Sequence, residues 1–181
     1  MERYFLGNNS GNGFWNEYDG ELKRADKVAL IKGGSGTGKS TMMKKIAAFA
    51  QKQGHDIEIW HCSGDPKSLD GVYIKDINRA VVDATAPHAS GADIPVVKDR
   101  IFDVANNLDK SKLDGMRDEI EKLIKCKKMH FMRVYQHLKS ALCHYNNQIE
   151  IEKQGIDEKK IRRIASEYCE KLFLTDGGES R

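Results

Sequence analysis

Residues 27–52 read KVALIKGGSGTGKSTMMKKIAAFAQK, and they carry the strongest indication of the fold. Its start, residues 27–32, is a short apolar run typical of a buried parallel strand, whereas residues 39–52 are helix-forming. Between them, residues 33–40 match the pattern GxxxxGK(S/T), in the strand-then-helix context that separates a phosphate-binding P-loop from a chance match. The stretch therefore predicts a P-loop that binds a nucleoside triphosphate together with Mg²⁺.

The residues of this loop have distinct expected roles. Backbone N–H groups of the glycines turn toward the phosphates, and the helix N-terminus adds its positive dipole end. We expect Lys39 to reach the β- and γ-phosphates and to act in catalysis, and the Ser40 hydroxyl to bind Mg²⁺. The residues expected to contact the nucleotide are Gly33, Gly34, Ser35, Gly36, Thr37, Gly38, Lys39, Ser40 and Thr41.

A site of this kind also uses an acidic residue at the end of a neighbouring strand. Residues 80–83, AVVD, predict a short strand ending in Asp83, which we expect to hold Mg²⁺ through water and to act in catalysis. An Asp that merely opens a turn is the alternative. Asp65 competes for the role, because it follows the strand predicted at residues 56–62 and ligands gather at the carboxyl ends of parallel strands.

Two histidines and a cysteine lie at the same edge of the predicted sheet, near the carboxyl ends of its strands. They either contact a substrate or pack within the fold, and their spacing does not indicate zinc: His61, Cys62 and His88. Three further histidines recur every seven residues, which is too far along a helix for one metal ion: His130, His137 and His144.

The flanks of the P-loop stretch are less regular. Residues 1–26 predict an irregular or short-strand lead-in, and residues 63–76 a loop with at most a short helix or strand near residues 72–74. Beyond about residue 90 we expect no further strand.

The second half of the chain is predicted to be helical. Residues 113–173 carry apolar side chains at three- and four-residue spacing, which indicates one or two long amphipathic helices. Asp109 or Ser111 is expected to cap the start, and Gly155 to precede a last helix at residues 157–172.

The composition is that of an ordinary globular protein. With 30 basic and 27 acidic residues among 181, the formal net charge of +3 is too near neutral to make nucleic acid an expected partner. The four cysteines lack metal or disulfide spacing, and the sequence shows neither a signal peptide nor a membrane-spanning run. We therefore expect a cytoplasmic protein that spans no membrane.

The predicted architecture is α/β. We expect one P-loop NTPase domain over residues 1–181, with three layers and a mostly parallel sheet. Its nucleotide-binding part is predicted at residues 1–105 and a C-terminal helical extension at residues 106–175.

Four stretches of the chain together are more specific than the P-loop alone: RYFLGNNSGNGFWNEYD, LIKGGSGTGKSTMMKKIA, DIEIWHCSGDPKSLDGV and VVDATAPH. With them the chain resembles, over most of its length, a little-characterised family of bacterial P-loop ATPases seen mainly in Firmicutes, whose members usually carry two tandem P-loop units. The resemblance implies ATP as the nucleotide and places nucleotide-binding roles on residues 33–41. Since one P-loop is visible here, the resemblance also implies that this chain corresponds to the first of the two units. Its sheet or active site would then be completed by a second P-loop unit or by self-association.

The leading functional expectation is Mg²⁺-dependent ATP hydrolysis. A nucleotide or small-molecule kinase and a nucleotide-dependent switch with little turnover stay open as alternatives. No residue marks itself as the base that positions water, since Ala84 follows Asp83. Four arginines of the helical part are candidates for an arginine finger: Arg117, Arg133, Arg162 and Arg163.

Overall fold

The computed structural model describes residues 1–85 and 94–174 and shows an α/β protein. The candidate His88 and the C-terminal residues 175–181 lie outside the described residues. The chain divides into two compact units, Met1–Lys139 and Ser140–Arg181, and the sheet belongs to the first.

Within the described residues, six strands form one mixed, mostly parallel sheet. A separate antiparallel hairpin lies between the first and second of them in the chain. In chain order the strands are β1 (Glu2–Tyr4), the hairpin strands β2 (Gly7–Ser10) and β3 (Gly13–Asn16), then β4 (Lys27–Lys32), β5 (Ile57–His61), β6 (Leu69–Ile74), β7 (Arg79–Asp83) and β8 (Asp99–Asp103). The order across the sheet is β1-β5-β6-β7-β4-β8, and β6 runs antiparallel to both of its neighbours.

The described residues contain five α-helices, and the two longest are the last two in the chain. The five helices are α1 (Tyr18–Leu22), α2 (Lys39–Lys52), α3 (Lys110–Asp114), α4 (Arg117–Lys153) and α5 (Glu158–Leu174). Short 3₁₀ helices cover Lys75–Ile77 and Val104–Asn107. No helix of the described part of the chain is long and apolar enough to cross a membrane.

The central sheet buries both of its faces. In β4, Leu30 packs on one side with Tyr18 and Leu22 of α1, and Phe14 of the hairpin packs against that cluster. Ile31, the next residue, points to the opposite side, because side chains alternate along a strand. There it packs with the buried stripe of α2, formed by Met43, Ala47 and Ala50. Helix α2 thus covers one face of the sheet, and α1 with the hairpin covers the other.

Where the hydrophobic period was clear, the predicted elements are confirmed. Strand β4 and helix α2 have the predicted bounds, β5 lies within residues 56–62, and β7 contains residues 80–83. The long helices are also confirmed, with Gly155 between α4 and α5. Asp109 caps the short α3, where its carboxylate accepts a hydrogen bond from the Lys112 backbone N–H at 3.4 Å.

The expectation of no strand beyond residue 90 is wrong. Strand β8 pairs in parallel with β4, so that Leu30 lies opposite Ile101. Its sequence, DRIFD, conceals the strand because three of its five residues are charged, and residues 100–103 are exposed at the sheet edge. An edge strand needs little apolar sequence, since one neighbour supplies its hydrogen bonds.

Residues 69–74 were expected to be mostly loop, yet they form the fully buried strand β6. The Asp-Gly pair at positions 70 and 71 suggests a turn by itself. Here the register of β6 shifts against β5 between Trp60 and His61, and the Trp60 ring lies over Gly71. A tertiary contact thus overrides a local turn signal.

Candidate functional site

The glycine-rich loop, residues 33–40, joins the carboxyl end of β4 to the first turn of α2. Gly38 is the N-cap of α2 with φ of 89°, a left-handed conformation that side-chain-bearing residues rarely adopt. Gly33 has φ of 152°, and a Cβ there would lie 2.7 Å from Val104 Cγ2 and 2.8 Å from Thr37 Oγ1. The loop therefore needs glycine at both of its ends.

Lys39 is anchored inside this loop. Its Nζ donates to the backbone carbonyls of Gly33 at 2.7 Å and Gly34 at 2.8 Å. The same ammonium lies 3.4 Å from Asp83 Oδ2, and the two side chains are 11% and 12% exposed. The pairing follows from the topology, because β7 is the direct neighbour of β4 and its last residue, Asp83, is in register with Ile31. The structure thus brings together the two residues for which sequence reasoning expected catalytic roles.

Thr85 belongs to the same cluster, although sequence reasoning did not select it. Its hydroxyl donates to the Gly33 carbonyl at 2.9 Å, and its backbone N–H donates to Asp83 Oδ1 at 2.8 Å. Thr85 therefore fixes the Asp83 carboxylate and ties it to the loop. The sequence offers only part of this signal: an Asp at a strand end can accept from the backbone N–H two residues on, as in an Asx turn, but nothing local marks the hydrogen bond from the Thr85 hydroxyl to Gly33.

The hydroxyls that open α2 are also placed by the backbone. Ser40 Oγ accepts a hydrogen bond from the Leu69 N–H at 2.9 Å, which joins the helix start to β6. Thr37 Oγ1 donates to the Gly34 carbonyl at 2.8 Å and so braces the loop from within. Thr41 is exposed on the first turn of α2, as are Gly34, Ser35 and Gly36 in the loop.

Asp65, the competing acidic residue, is occupied by its own turn. Its carboxylate accepts from the Ser68 hydroxyl at 2.7 Å and from the Lys67 N–H at 3.1 Å. These hydrogen bonds, the one from Ser68 foremost, hold the pKa of Asp65 below its usual range. His61 likewise has a local partner, the Pro66 carbonyl, 2.8 Å from its Nδ1. The geometry favours Asp83 over Asp65 as the carboxylate next to the loop.

Cys62 lies at the edge of a buried polar group. The Tyr18 hydroxyl donates to Asp70 Oδ2 at 2.8 Å, and both residues are buried. Burial, and next the negative charge of Asp70, raise the pKa of the Cys62 thiol. Burial, followed by the same charge, raises the pKa of Tyr18. Cys62 is thus a protonated thiol at neutral pH, with the Tyr18–Asp70 pair behind it.

A cavity of about 460 Å³ opens beside Lys39, a size common for small-molecule sites. Its polar side comes from the loop and the strand ends: Ser35, Lys39, Cys62, Asp83 and Thr85. Its other side comes from the hairpin and α4: Asn9, Phe14, Lys127, Phe131 and Tyr135. The cavity therefore joins the charged cluster to an aromatic wall.

Helix α4 contacts the loop side of the molecule at two points. The Tyr135 hydroxyl donates to Asn9 Oδ1 at 2.7 Å, and Lys127 Nζ lies 3.4 Å from Ser35 Oγ. No local sequence pattern predicts either contact, because each joins residues about ninety or more positions apart.

A second, open groove runs from the end of the loop along α2. It is lined by Gly38, Thr41, Met42, Lys45, Ile46 and Phe49. The Phe49 side chain is 66% exposed, which is unusual for a large aromatic residue.

Among the arginine-finger candidates, three form ion pairs within their own helices. Arg117 pairs with Glu121 at 3.2 Å, Arg162 with Glu158 at 3.2 Å and Arg163 with Glu167 at 3.6 Å. In the described residues, no three His, Cys, Asp or Glu side chains gather as a metal site would require.

In comparisons with protein-family models, curated proteins and solved structures, no match to the chain was found.

Proposed function

We propose that the chain is a P-loop NTPase that binds ATP with Mg²⁺ at residues 33–41 and hydrolyses it. The observation that carries the proposal is the position of the Lys39 ammonium, held by the Gly33 and Gly34 carbonyls and facing Asp83. It lies where a glycine-rich loop, a helix N-terminus and the end of a neighbouring strand meet. This is the arrangement that stabilises negative charge on a transferring phosphoryl group.

The residues present fit Mg²⁺, which prefers hard oxygen ligands and keeps several of its waters. Ser40 offers a hydroxyl oriented by the Leu69 N–H, and Asp83 offers a carboxylate fixed by Thr85. We assign Ser40 as a direct ligand and Asp83 as a ligand through water. When bound, the ion supplies positive charge to the β- and γ-phosphate oxygens.

The protein's own part in the reaction is electrostatic. The N–H groups at the start of α2 and the Lys39 ammonium would hold the phosphates and stabilise the charge that develops on the γ-phosphoryl group. In hydrolysis a water oxygen bonds to the γ-phosphorus while the bond to the β–γ bridging oxygen breaks. ADP leaves with that electron pair, and the protons of the water pass to phosphate and solvent.

The nucleoside is assigned to the groove along α2. The groove begins at Gly38 and Thr41, the end of the loop at which the α-phosphate is expected. The exposed Phe49 ring and Met42 give it an apolar surface on which a purine base can lie. Adenine is proposed from the sequence resemblance, since an apolar surface by itself favours any base.

A second candidate function is phosphoryl transfer to a small molecule. The cavity beside Lys39 favours it, because the wall formed by Phe14, Phe131 and Tyr135 extends beyond the space that a γ-phosphate needs. An acceptor hydroxyl bound there would replace water as the attacking group. Transfer of label from [γ-³²P]ATP to an added nucleoside, faster than phosphate release, would favour this candidate.

We place the protein in the cytoplasm, where its free cysteines would stay reduced. The proposal also includes a partner that binds helix α5. Helix α5 exposes an apolar stripe at three- and four-residue spacing, made of Ile161, Ile164, Tyr168 and Leu172. A second P-loop unit or a second copy of the chain would cover such a stripe. A nucleotide-dependent switch would use the same surface with little turnover.

The test is phosphate release from MgATP and MgGTP by the purified chain. We expect release from MgATP that stops when EDTA removes Mg²⁺, and a rate about 10²-fold lower in Asp83→Asn. The matched control is Asp114→Asn, an exposed carboxylate at the end of α3, which should keep the wild-type rate. Equal rates in Asp83→Asn and the wild type would refute the assignment of Asp83.

A further inference from the structure

The first part of α4 presents one face to the glycine-rich loop. Lys127, Phe131 and Tyr135 are spaced at four-residue intervals, so that they share a side of the helix, and all three line the cavity beside Lys39. The Tyr135–Asn9 hydrogen bond of 2.7 Å attaches this face to the hairpin. The helix is thus held where its lysine reaches the loop.

Lys127 brings a cation that the loop does not itself supply. Its Nζ lies 3.4 Å from Ser35 Oγ, and it makes no ion pair with any residue that the structure describes. Lys39, in contrast, faces the Asp83 carboxylate at 3.4 Å, so that the two charges largely offset each other. Two lysines therefore line this cavity, and they differ: Lys39 lies beside a carboxylate, whereas Lys127 has none beside it among the described residues.

We propose that Lys127 is a catalytic residue that binds the γ-phosphate oxygens from the side opposite to Lys39. The inference rests on the proposed function, because it gives that site a second cation supplied by the same chain. Lys127 takes no proton and forms no covalent bond; it stabilises the negative charge that develops as the phosphoryl group leaves ADP. From the sequence alone, only arginines are candidates for this role.

The test separates catalysis from binding. In Lys127→Ala we expect the single-turnover rate of ATP hydrolysis to fall about 10²-fold, with ADP affinity unchanged within about twofold. Lys127→Arg should recover most of the rate, because a guanidinium supplies the same charge. The matched control is Lys128→Ala, since the next residue is exposed and turned about 100° around the helix.

A transition-state analogue provides a readout that a purely structural role would not change. Wild-type protein with Mg²⁺, ADP and aluminium fluoride should form a long-lived complex, whereas Lys127→Ala should bind ADP but not retain the fluoride.

The outcomes distinguish this inference from the proposal beneath it. Wild-type turnover with an unchanged rate in Lys127→Ala would overturn the role of Lys127 and leave the proposed function standing. A wild-type chain that binds MgATP without turnover overturns both hydrolysis and the role of Lys127, while nucleotide binding stands. Failure of the wild type to bind MgATP overturns them all.

Discussion

Replacing Gly33 by alanine should destabilise the protein at the point where β4 enters the glycine-rich loop. The new Cβ would lie 2.7 Å from Val104 Cγ2 and 2.8 Å from Thr37 Oγ1, distances at which the neighbours must move. The φ of 152° adds backbone strain, since side-chain-bearing residues avoid this region. Strain of this kind costs about 1–3 kcal/mol, and overpacking costs about 1–3 kcal/mol. We therefore expect the free energy of unfolding to fall by about 3 kcal/mol.

The assay is urea unfolding followed by tryptophan fluorescence, because Trp60 is fully buried in the core. Gly34→Ala is the matched control: nothing lies within 4 Å of a Cβ at that position, and its φ is not positive. The control should stay within about 0.5 kcal/mol of the wild type. Equal stability of Gly33→Ala and Gly34→Ala would show that position 33 does not require glycine.

Two further predictions concern the core and the cavity. Arg24→Ala should lower the free energy of unfolding by about 2–3 kcal/mol. The reason is that Glu58, which is 3% exposed, loses a guanidinium that contacts both of its carboxylate oxygens, at 2.9 and 3.2 Å. Urea unfolding measures the change, and an unchanged midpoint would contradict it. With the other cysteines replaced by serine, Cys62 should react slowly with iodoacetamide at neutral pH and faster under alkaline conditions, because burial raises the pKa of its thiol and the thiolate is the reactive form. MgATP should slow the reaction further, and an unaffected rate would place the nucleotide elsewhere.

Local sequence determined the parts of the fold that have a strong period or a strict backbone requirement. The apolar run of residues 27–32, the glycine spacing and the helix that follows predicted β4, the loop and α2 with the observed bounds. The short apolar run ending in Asp83 predicted β7 for the same reason. In each case neighbouring residues carry the information.

The remainder depends on contacts between distant residues. Strand β8 is recognisable as a strand because β4 pairs with it, and β6 because Trp60 and its neighbouring strands enclose it. The side of the cavity formed by α4 exists because α4 packs against the hairpin, where the Tyr135 hydroxyl donates to Asn9. No local sequence pattern predicts that contact. Lys127 was overlooked for the same reason, since within its own stretch it is one lysine among several.

The affinity for MgATP, measured by isothermal titration calorimetry on the wild type and on Lys39→Ala, shows whether residues 33–41 bind the nucleotide. Loss of the Lys39 ammonium should weaken binding about 100-fold or more, which is about 2.7 kcal/mol or more. Lys52→Ala, at the opposite end of α2, should bind as the wild type does. Circular dichroism should show that both variants remain folded. Wild-type affinity in a folded Lys39→Ala variant would contradict the assignment of residues 33–41 as the nucleotide site.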